Sequence, residues 1–223
     1  MLTVIIPVLN EVELLPRLLK QFAAKPEIPI IVVDGGSTDE TVLKANQFQT
    51  KVLQSLKKGR SIQMNLGAQA ATTEYLLFLH ADVILPDNFF QVLEAFMNRK
   101  GAFANCAIQF DLAHWFLNFN AFFTRYQFNS FQFGDQGLII SKALFQKLGA
   151  YNEGRQLVEG QDLIRRAKKV AKFEKLPVKL IVSARKYKEH GVYYLRFCYL
   201  IVFLLYRLNF DDSRIQRIYS RLL

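Results

Sequence analysis

The runs LTVIIPV at residues 2–8 and IPIIVVDG at residues 28–35 decide the fold class of this chain. Each is an almost continuous stretch of apolar, largely β-branched side chains, the pattern of strands that are covered on both faces of a sheet. Between them, residues 10–22 place apolar side chains at helical spacing. This order predicts a strand, a helix and a second strand.

The same alternation continues through the first hundred residues. Further helical patterns occupy residues 37–46, 59–71 and 86–98, and further strand patterns occupy residues 51–55 and 74–80. This predicts an α/β fold with a Rossmann-like, mostly parallel sheet and helices on both faces. Capping boxes are predicted at the first two helices, where Asn10 precedes Glu13 and Ser37 precedes Glu40 by three residues.

Polar side chains follow three of these predicted strands. Asn10 and Glu11 follow the first, Asp34 ends the second, and His80 and Asp82 lie at the end of the fourth. In open α/β sheets, ligands bind at the carboxyl ends of the strands. One crevice lined with carboxylates is therefore expected.

Composition limits the class of protein. The 223 residues are 51% hydrophobic, enough for one large domain or for one domain with a short appendage. Cys106 and Cys198 lie far apart and form no metal or redox pair, and no signal-peptide pattern is seen, so a cytoplasmic location is expected. The first strand lacks a dinucleotide-binding glycine turn, and the chain lacks a P-loop and a nucleophile elbow.

The net charge of +10 is unevenly distributed. Residues 185–223 hold eight Lys and Arg against three acidic residues, which gives +5, and these bases flank the most apolar segment of the chain. Basic and apolar side chains together indicate a membrane surface and not nucleic acid as the partner. The alternative is an ordinary solvated basic face.

Asp82 interrupts the apolar stretch LLFLHADVIL at residues 76–85. Because an unpaired buried carboxylate is costly, the fold has to supply a partner for it. A Mg²⁺ or Mn²⁺ ion that also binds substrate phosphates would be such a partner, with His80 as a second ligand. The alternative is that Asp82 caps a local turn and that His80 is an ordinary core histidine.

Asp34 and Arg60 also have two interpretations each. Asp34 precedes two glycines and could accept hydrogen bonds from a base or ribose, or it could stabilise the turn. Arg60, with the preceding Lys57 and Lys58, lies just before a predicted helix. Such a position suits a diphosphate, although basic loops are commonly just solvated.

Taken together, VIIPVLNE (4–11), VVDGGSTDET (32–41), GRSIQMNLGAQAA (59–71) and LLFLHADVILP (76–86) resemble glycosyltransferase family 2 enzymes of the GT-A fold, in order and spacing. FGDQGLII (133–140) and SARKYKEHGVYY (183–194) are similar to later segments of the radical-SAM/selenodomain-associated transferase 2 subgroup. The resemblance implies a nucleotide-sugar donor, often UDP-linked, and an Mn²⁺ or Mg²⁺ cofactor.

The resemblance also implies roles for particular residues. HAD at residues 80–82 takes the place of the family's metal-binding Asp-x-Asp motif, so Asp82 and His80 would be the metal ligands. The nucleotide-sugar site would comprise Pro7, Asn10, Glu11, Asp34, Arg60, Ala81 and Asp135.

The catalytic base is the point where the chain departs from the family. The family places it in a Glu-Asp pair at the start of a late helix, and here VEGQDLIRR has Gly160 at that position. Glu159 is the favoured base, with Asp162 as the alternative and Asp135 as a further contributor. A third account is that transfer is lost and only nucleotide-sugar binding remains. Acidic residues in a first helical turn also have a purely structural role, because they interact favourably with the helix dipole.

Two apolar segments complete the prediction. Trp115, Phe119, Phe122 and Tyr126 recur at helical spacing, which favours core packing, with an apolar acceptor groove as the alternative. Residues 197–206 are uninterrupted apolar residues but are too few to span a bilayer, so a peripheral membrane helix is expected. A last amphipathic helix is expected within residues 209–223.

The predicted protein is an inverting glycosyltransferase that moves a hexose to a hydroxyl or carboxyl group of a hydrophobic, small-molecule or lipid acceptor. The predicted domains are a GT-A domain at residues 1–190 and a C-terminal helical tail at residues 191–223. The GT-A domain would divide into a nucleotide-sugar half (about 1–110) and an acceptor half (about 111–190). Peripheral association with the inner face of the cell membrane and a homodimer are further expectations.

Overall fold

The computed structural model describes residues 1–127, 134–155, 157–208 and 210–222. Its strands are β1 (Leu2–Val8), β2 (Ile30–Asp34), β3 (Lys51–Gln54), β4 (Tyr75–Phe78), β5 (Val83–Ile84), β6 (Phe103–Phe110), β7 (Leu138–Ser141) and β8 (Phe173–Val182). They form one sheet in the order β3-β2-β1-β4-β7-β6-β8-β5.

Parallel pairing runs through the first four strands of this order. β7 pairs antiparallel with both β4 and β6, β6 and β8 pair parallel, and β5 pairs antiparallel with β8. β4, β6 and β8 therefore run in the same direction, and their carboxyl ends lie at the same edge of the sheet. The predicted α/β fold with a mostly parallel sheet is confirmed.

Helices cover the sheet on both faces. They are α1 (Leu15–Lys20), α2 (Thr41–Ala45), α3 (Arg60–Ala70), α4 (Phe89–Asn98), α5 (Trp115–Phe123), α6 (Lys142–Lys147), α7 (Glu159–Ala167), α8 (Arg185–His190), α9 (Val192–Arg207) and α10 (Asp212–Leu222). Alternate residues of β1 enter two separate cores: Val4 and Ile6 pack with α1 and α4, and Ile5 packs with α3 and α7. This is the period-2 alternation of a strand that is buried on both faces.

Both predicted capping boxes are wrong. α1 begins at Leu15, where Pro16 occupies the first turn, and α2 begins at Thr41. Asn10 instead has φ 55° and accepts a hydrogen bond from the Thr38 amide, while Ser37 Oγ accepts one from the Asn10 amide. The polar side chains that were expected to cap the helices join the two loops to each other.

The stretch at residues 76–85 is divided between two strands. β4 ends at Phe78, and Asp82 lies directly before β5. The Asp82 carbonyl accepts a hydrogen bond from the Ser183 amide, which ties this connection to the end of β8. Asp82 is thus held between two strand ends and not at the end of one continuous strand.

The core-packing interpretation of the aromatic stretch is wrong for the residues on which it rested. On α5 only Leu117 and Ala121 are buried, whereas Trp115, Phe119, Phe122 and the following Tyr126 are 43–68% exposed. The helical periodicity is present, but its aromatic face points away from the core. Residues 128–133, which complete this stretch, lie outside the described residues.

The C-terminal helices pack on the rest of the fold. Leu195 of α9 belongs to the core that contains α1 and α4. Val202 and Tyr206 of α9 and Ile215 of α10 form a smaller cluster with Val158, the residue before α7. In the described part of the chain, no helix has both the length and the apolar character needed to cross a bilayer.

Gly67 sets the distance between α3 and β1. A Cβ atom at this position would lie 2.5 Å from Ile5 Cγ2. We expect Gly67→Ala to lower the free energy of unfolding by about 1–3 kcal/mol, because the overpacking outweighs the gain in helix propensity. Urea denaturation measures this change. The exposed Gln69 on the same helix is the control, and a loss in Gln69→Ala equal to that in Gly67→Ala would contradict this account.

Candidate active site

A cavity of about 210 Å³ opens at the sheet edge where β4, β6 and β8 end. Phe110 and Val182, the last residues of β6 and β8, line it, as does His80 just beyond β4. Its charged side chains come from six separate parts of the chain: Arg60, Asp82, Asp135, Glu159, Arg185, Lys186 and Arg196. The topology therefore builds the site, because no two of these parts are close in sequence except the last two.

Secondary-structure ends position most of these groups. Arg60 is the first residue of α3 and follows Gly59, whose φ of 142° favours glycine. Glu159 is the first residue of α7, and Asp135 lies in the short 3-10 turn at Gly134–Gln136. Arg60 and Glu159 thus start helices that pack on the core, and Asp135 is held in a short turn.

Three carboxylates of the cavity have a buried oxygen atom without a hydrogen bond from any described residue. These atoms are Asp82 Oδ1, Asp135 Oδ1 and Glu159 Oε2. Buried polar atoms are normally paired, and exceptions of this kind are typical of catalytic and ligand-binding positions. The three atoms line one cavity, so they are candidates for contact with a bound ligand.

The electrostatics of Asp82 and Asp135 are coupled. Burial raises the pKa of Asp82, and the nearby Arg60 guanidinium opposes that rise. Burial and then the negative charge of Asp82 raise the pKa of Asp135 to about 6. Two like charges that are both deprived of water favour a cation or a proton between them.

Glu159 is the most buried acid of the cavity, with 3% of its surface exposed. Burial raises its pKa, and the Arg60 guanidinium partly offsets this effect. The Glu159 Oε1 atom lies 3.6 Å from Arg60 Nη1, while Oε2 has no partner among the described residues. A carboxylate with a raised pKa and one uncommitted oxygen has the properties of a general base.

His80 is held in its neutral form. Burial lowers its pKa well below the ordinary value, and the positive charges of Arg60 and Lys186 act in the same direction. A neutral imidazole keeps one nitrogen available as a metal ligand or as a hydrogen-bond acceptor.

The residues around Asp82 fit a divalent cation that is shared with a substrate. Within the described ranges, no group of three or more His, Cys, Asp or Glu residues is arranged to hold a metal ion. Mg²⁺ and Mn²⁺, however, are commonly bound by one or two protein ligands together with substrate phosphates. The unpartnered Asp82 Oδ1 and the neutral His80 provide that smaller ligand set.

Five predicted nucleotide-sugar residues lie outside the cavity lining. Pro7 is part of β1 beside Val33, and Ala81 is buried between His80 and Asp82. The Asp34 carboxylate accepts hydrogen bonds from the amides of Gly36 and Ser37. Asp34 therefore stabilises the turn, which was the second interpretation of this residue, and Asn10 joins the same loops.

Glu11 links these loops to the cavity. Its carboxylate Oε1 lies 3.0 Å from Arg185 Nη2, and Arg185 lines the cavity. The loop after β1 and the start of α8 are therefore joined by an ion pair between residues that are far apart in sequence.

Asp162, the alternative base of the sequence analysis, does not line the cavity, and its role as a base stays a prediction. Its carboxylate accepts hydrogen bonds from Arg166 Nε at 2.8 Å and Arg165 Nη2 at 3.1 Å, and Arg155 lies 4.0 Å away. Three arginine side chains therefore surround this carboxylate. These contacts link the first turn of α7 to its last turn and to Arg155.

Several cavity residues were not predicted as site residues from the sequence. Arg185, Lys186 and Arg196 were counted only among the bases of residues 185–223, and the first two also belong to a segment that is similar to the family. Tyr199 and Phe203 of α9 form part of the apolar wall. A helix with a basic residue and aromatic residues at helical spacing on one face is the available signal, but the distance to the first strands cannot be read from sequence.

A family model for glycosyl transferase family 2 matches residues 3–147. The chain belongs to this family. The family-level resemblance is confirmed, whereas the comparisons leave the predicted subgroup open.

The sequence relatives match only part of the family domain. A PGL/p-HBAD biosynthesis glycosyltransferase from Mycobacterium tuberculosis strain H37Rv is 39% identical over 90 residues, and one from Mycobacterium bovis strain BCG matches equally. The match covers 37% of this chain and 35% of each relative, so the greater part of those proteins has no counterpart in the alignment.

Solved structures share the fold over almost the whole chain. The mannosyltransferase PcManGT from Pyrobaculum calidifontis, in complex with GDP-Man and Mn²⁺, has a TM-score of 0.72 at 17% identity and covers 99% of this chain and 69% of its own. S. aureus TarS in complex with UDP-GlcNAc has a TM-score of 0.67 at 17% identity, with 99% and 71% covered. The GT-A fold of this family member is thus confirmed.

Burial, together with the charge of Asp82, raises the pKa of Asp135 and so predicts a pH dependence of stability in this family member. Between pH 3.8 and about 6, Asp135 binds more protons in the folded than in the unfolded state, so its contribution falls as pH rises through that window. In EDTA, we expect Asp135→Asn to be more stable than wild type near pH 7 and to lose this advantage near pH 4. Urea denaturation at both pH values, with the exposed Asp87→Asn as control, measures the effect. A stability difference that is the same at both pH values would contradict it.

Proposed function

We propose that this chain is a glycosyltransferase that moves a hexose from a nucleotide-diphosphate sugar, most simply a UDP-sugar, to a hydrophobic acceptor. The observation that carries the proposal is one cavity in which the half-buried Asp82 and the buried Glu159 lie with four cationic side chains. Family membership and the sugar-nucleotide complexes of the neighbours PcManGT and TarS support a donor of this class.

The donor would lie across the carboxyl ends of the parallel strands. Its base and ribose would lie near Asn10, Glu11 and Asp34, at the loops that follow β1 and β2. Its diphosphate would lie in the cavity, where the Arg60 guanidinium and the Lys186 ammonium can form ion pairs with it. Asp135 would line the part of the cavity that holds the sugar of the donor.

Glu159 would act as the general base. Its Oε2 atom would remove the proton from the acceptor hydroxyl as the acceptor oxygen bonds to the anomeric carbon. The bond from that carbon to the diphosphate oxygen breaks, and the diphosphate leaves with the electron pair. A single displacement of this kind inverts the anomeric centre. For a carboxyl acceptor, which is already ionised, no base is needed.

Asp82 and His80 would hold the divalent cation. When bound, the cation offsets negative charge on the diphosphate and so makes it a better leaving group. Arg60 and Lys186 act on Asp82 electrostatically and so lie close to it. Their positive charges would therefore also stabilise the leaving diphosphate. The donor and the cation are therefore expected to bind cooperatively.

The acceptor would be hydrophobic. The side of the cavity formed by α9 presents Tyr199, Val202 and Phe203, and the ends of β6 and β8 add Phe110 and Val182. An apolar wall with a few polar groups is the usual character of a small-molecule site. The acceptor would be a lipid or another apolar alcohol or acid.

A second candidate is a nucleotide-sugar-binding protein without transfer. Gly160 lines the cavity at the position where the resemblance places the usual base. Donor binding without transfer or donor hydrolysis across an acceptor panel would favour this candidate. The location on the cytoplasmic face of the membrane, the homodimer, the subgroup and the division at residue 190 remain predictions.

Glu159→Gln tests the proposed general base. We expect this variant to lower kcat for UDP formation by about 100-fold or more, because proton removal is lost, while donor affinity stays near wild type. Coupled UDP release and calorimetry with UDP-sugar measure the two quantities. Gln161→Ala, at a neighbouring cavity residue, is the control. A wild-type kcat in Glu159→Gln would contradict the role of Glu159.

Asp82→Asn tests the cation site without relying on turnover. We expect Mn²⁺ to raise the Tm of wild type more strongly in the presence of UDP than without it, and this cooperative gain to disappear in the variant. Thermal unfolding with and without Mn²⁺ and UDP measures the gain. Asp87→Asn serves as the control, and an undiminished gain in Asp82→Asn would exclude Asp82 as a ligand.

A further inference from the structure

Helix α9 has three faces with different surroundings. One face lines the cavity through Tyr199 and Phe203, and another is buried in the cores through Leu195 and Cys198. The third face is apolar yet exposed by 49–69%. Its residues are Tyr193, Phe197, Leu200 and Leu204, followed by Leu208 directly after the helix. Their spacing of four, three, four and four residues places them along one side of the helix.

Helix α5 repeats this pattern beside α9. Trp115, Phe119 and Phe122 follow at intervals of four and three residues, and they are 68%, 57% and 43% exposed. The two helices meet where the Phe116 ring contacts the Tyr193 ring at a centroid distance of 5.3 Å. We call the two exposed faces together the α5–α9 surface; its residues are Trp115, Phe119, Phe122, Tyr193, Phe197, Leu200, Leu204 and Leu208.

All eight residues have large apolar or aromatic side chains, which proteins usually keep in a core or at an interface. Contiguous exposed apolar surface of this kind marks interaction sites in soluble proteins. Trp and Tyr, which the surface carries at Trp115 and Tyr193, are the residues that prefer the boundary between lipid and water. A surface with aromatic groups along two adjacent helices is therefore suited to the headgroup region of a bilayer.

Positive charge accompanies this surface. The Arg125 guanidinium lies 3.9 Å from the centroid of the Phe122 ring, and Arg207 ends α9 in an exposed position. Helix α10 packs on α9 through stacked rings of Tyr199 and Tyr219, 6.1 Å apart. It adds three exposed bases, Arg214, Arg217 and Arg221. The exposed acids nearest in sequence to α9 are Glu189 and Asp211.

We propose that the α5–α9 surface docks this protein on an anionic membrane. The charge decides between lipid and a second copy of the chain, because a symmetric partner would bring a second set of the same cations to the contact. Anionic headgroups complement them instead. The inference goes beyond the sequence prediction, which assigned membrane contact to the C-terminal helices alone, by adding α5.

The docked orientation follows from α9. Leu200 and Leu204 of the surface each adjoin a cavity residue, Tyr199 and Phe203, along the same helix. The bilayer would therefore lie next to the apolar wall of the cavity. Docking itself needs neither the donor nor catalysis, so the surface can be tested whether or not the proposed function holds.

Vesicle flotation of the full chain tests the proposal. We expect wild type to float with phosphatidylcholine vesicles that contain phosphatidylglycerol and to float much less with phosphatidylcholine alone. Phe119→Ser combined with Phe197→Ser, one change on each helix, should lower the bound fraction at least about tenfold, because two apolar anchors are lost. Circular dichroism checks that this variant is folded.

Matched controls separate this surface from general hydrophobicity and from the active site. Leu43 and Leu56 are 56% and 101% exposed, on α2 and after β3, so Leu43→Ser combined with Leu56→Ser should float like wild type. Asp82→Asn should also float like wild type, which separates docking from the proposed function.

Four results would overturn the proposal. The first is wild type that stays at the bottom of the gradient with anionic vesicles. The second is equal flotation with and without phosphatidylglycerol. The third is Phe119→Ser alone floating like wild type, since α5 would then not take part. The fourth is a dimer, seen by light scattering without vesicles, that the Phe119→Ser and Phe197→Ser pair dissociates, because the surface would then bind a second copy.

Discussion

The cost of placing carboxylates in a water-poor cavity is the constraint that organises this molecule. Asp82, Asp135 and Glu159 each leave a buried oxygen atom unpaired among the described residues, and two of them repel each other. The fold compensates by bringing Arg60 and Lys186 to the same edge of the sheet. Buried carboxylate oxygen atoms without partners and cationic side chains therefore share one cavity, the arrangement expected of a ligand-binding site.

Strand direction explains why these groups meet. β4, β6 and β8 run the same way although β7 lies between two of them in the opposite sense, so loops from distant parts of the chain end together. The antiparallel β7 allows the sheet to extend beyond its first four strands and to bring α8 and α9 to the cavity. The strand ends that line the cavity, including Phe110 and Val182 of its apolar wall, thus belong to one continuous sheet.

Sequence patterns predicted the strands and helices of the first hundred residues, and five predicted site residues line the cavity: Arg60, His80, Asp82, Asp135 and Glu159. Arg60, Asp135 and Glu159 were placed there by resemblance, but Asp162 was not distinguishable from Glu159, because its arginine partners depend on how α7 packs. The aromatic face of α5 was assigned to the core because periodicity shows that a face exists and not which way it points. Contacts between distant segments, such as Glu11 with Arg185, leave no local pattern.

The small cluster at Val158 has a consequence for control of the site. Val158 precedes Glu159 directly, and it packs with Val202, Tyr206 and Ile215 of the last two helices. The last two helices therefore pack directly against the residue before Glu159, so a change in their packing would act next to that carboxylate.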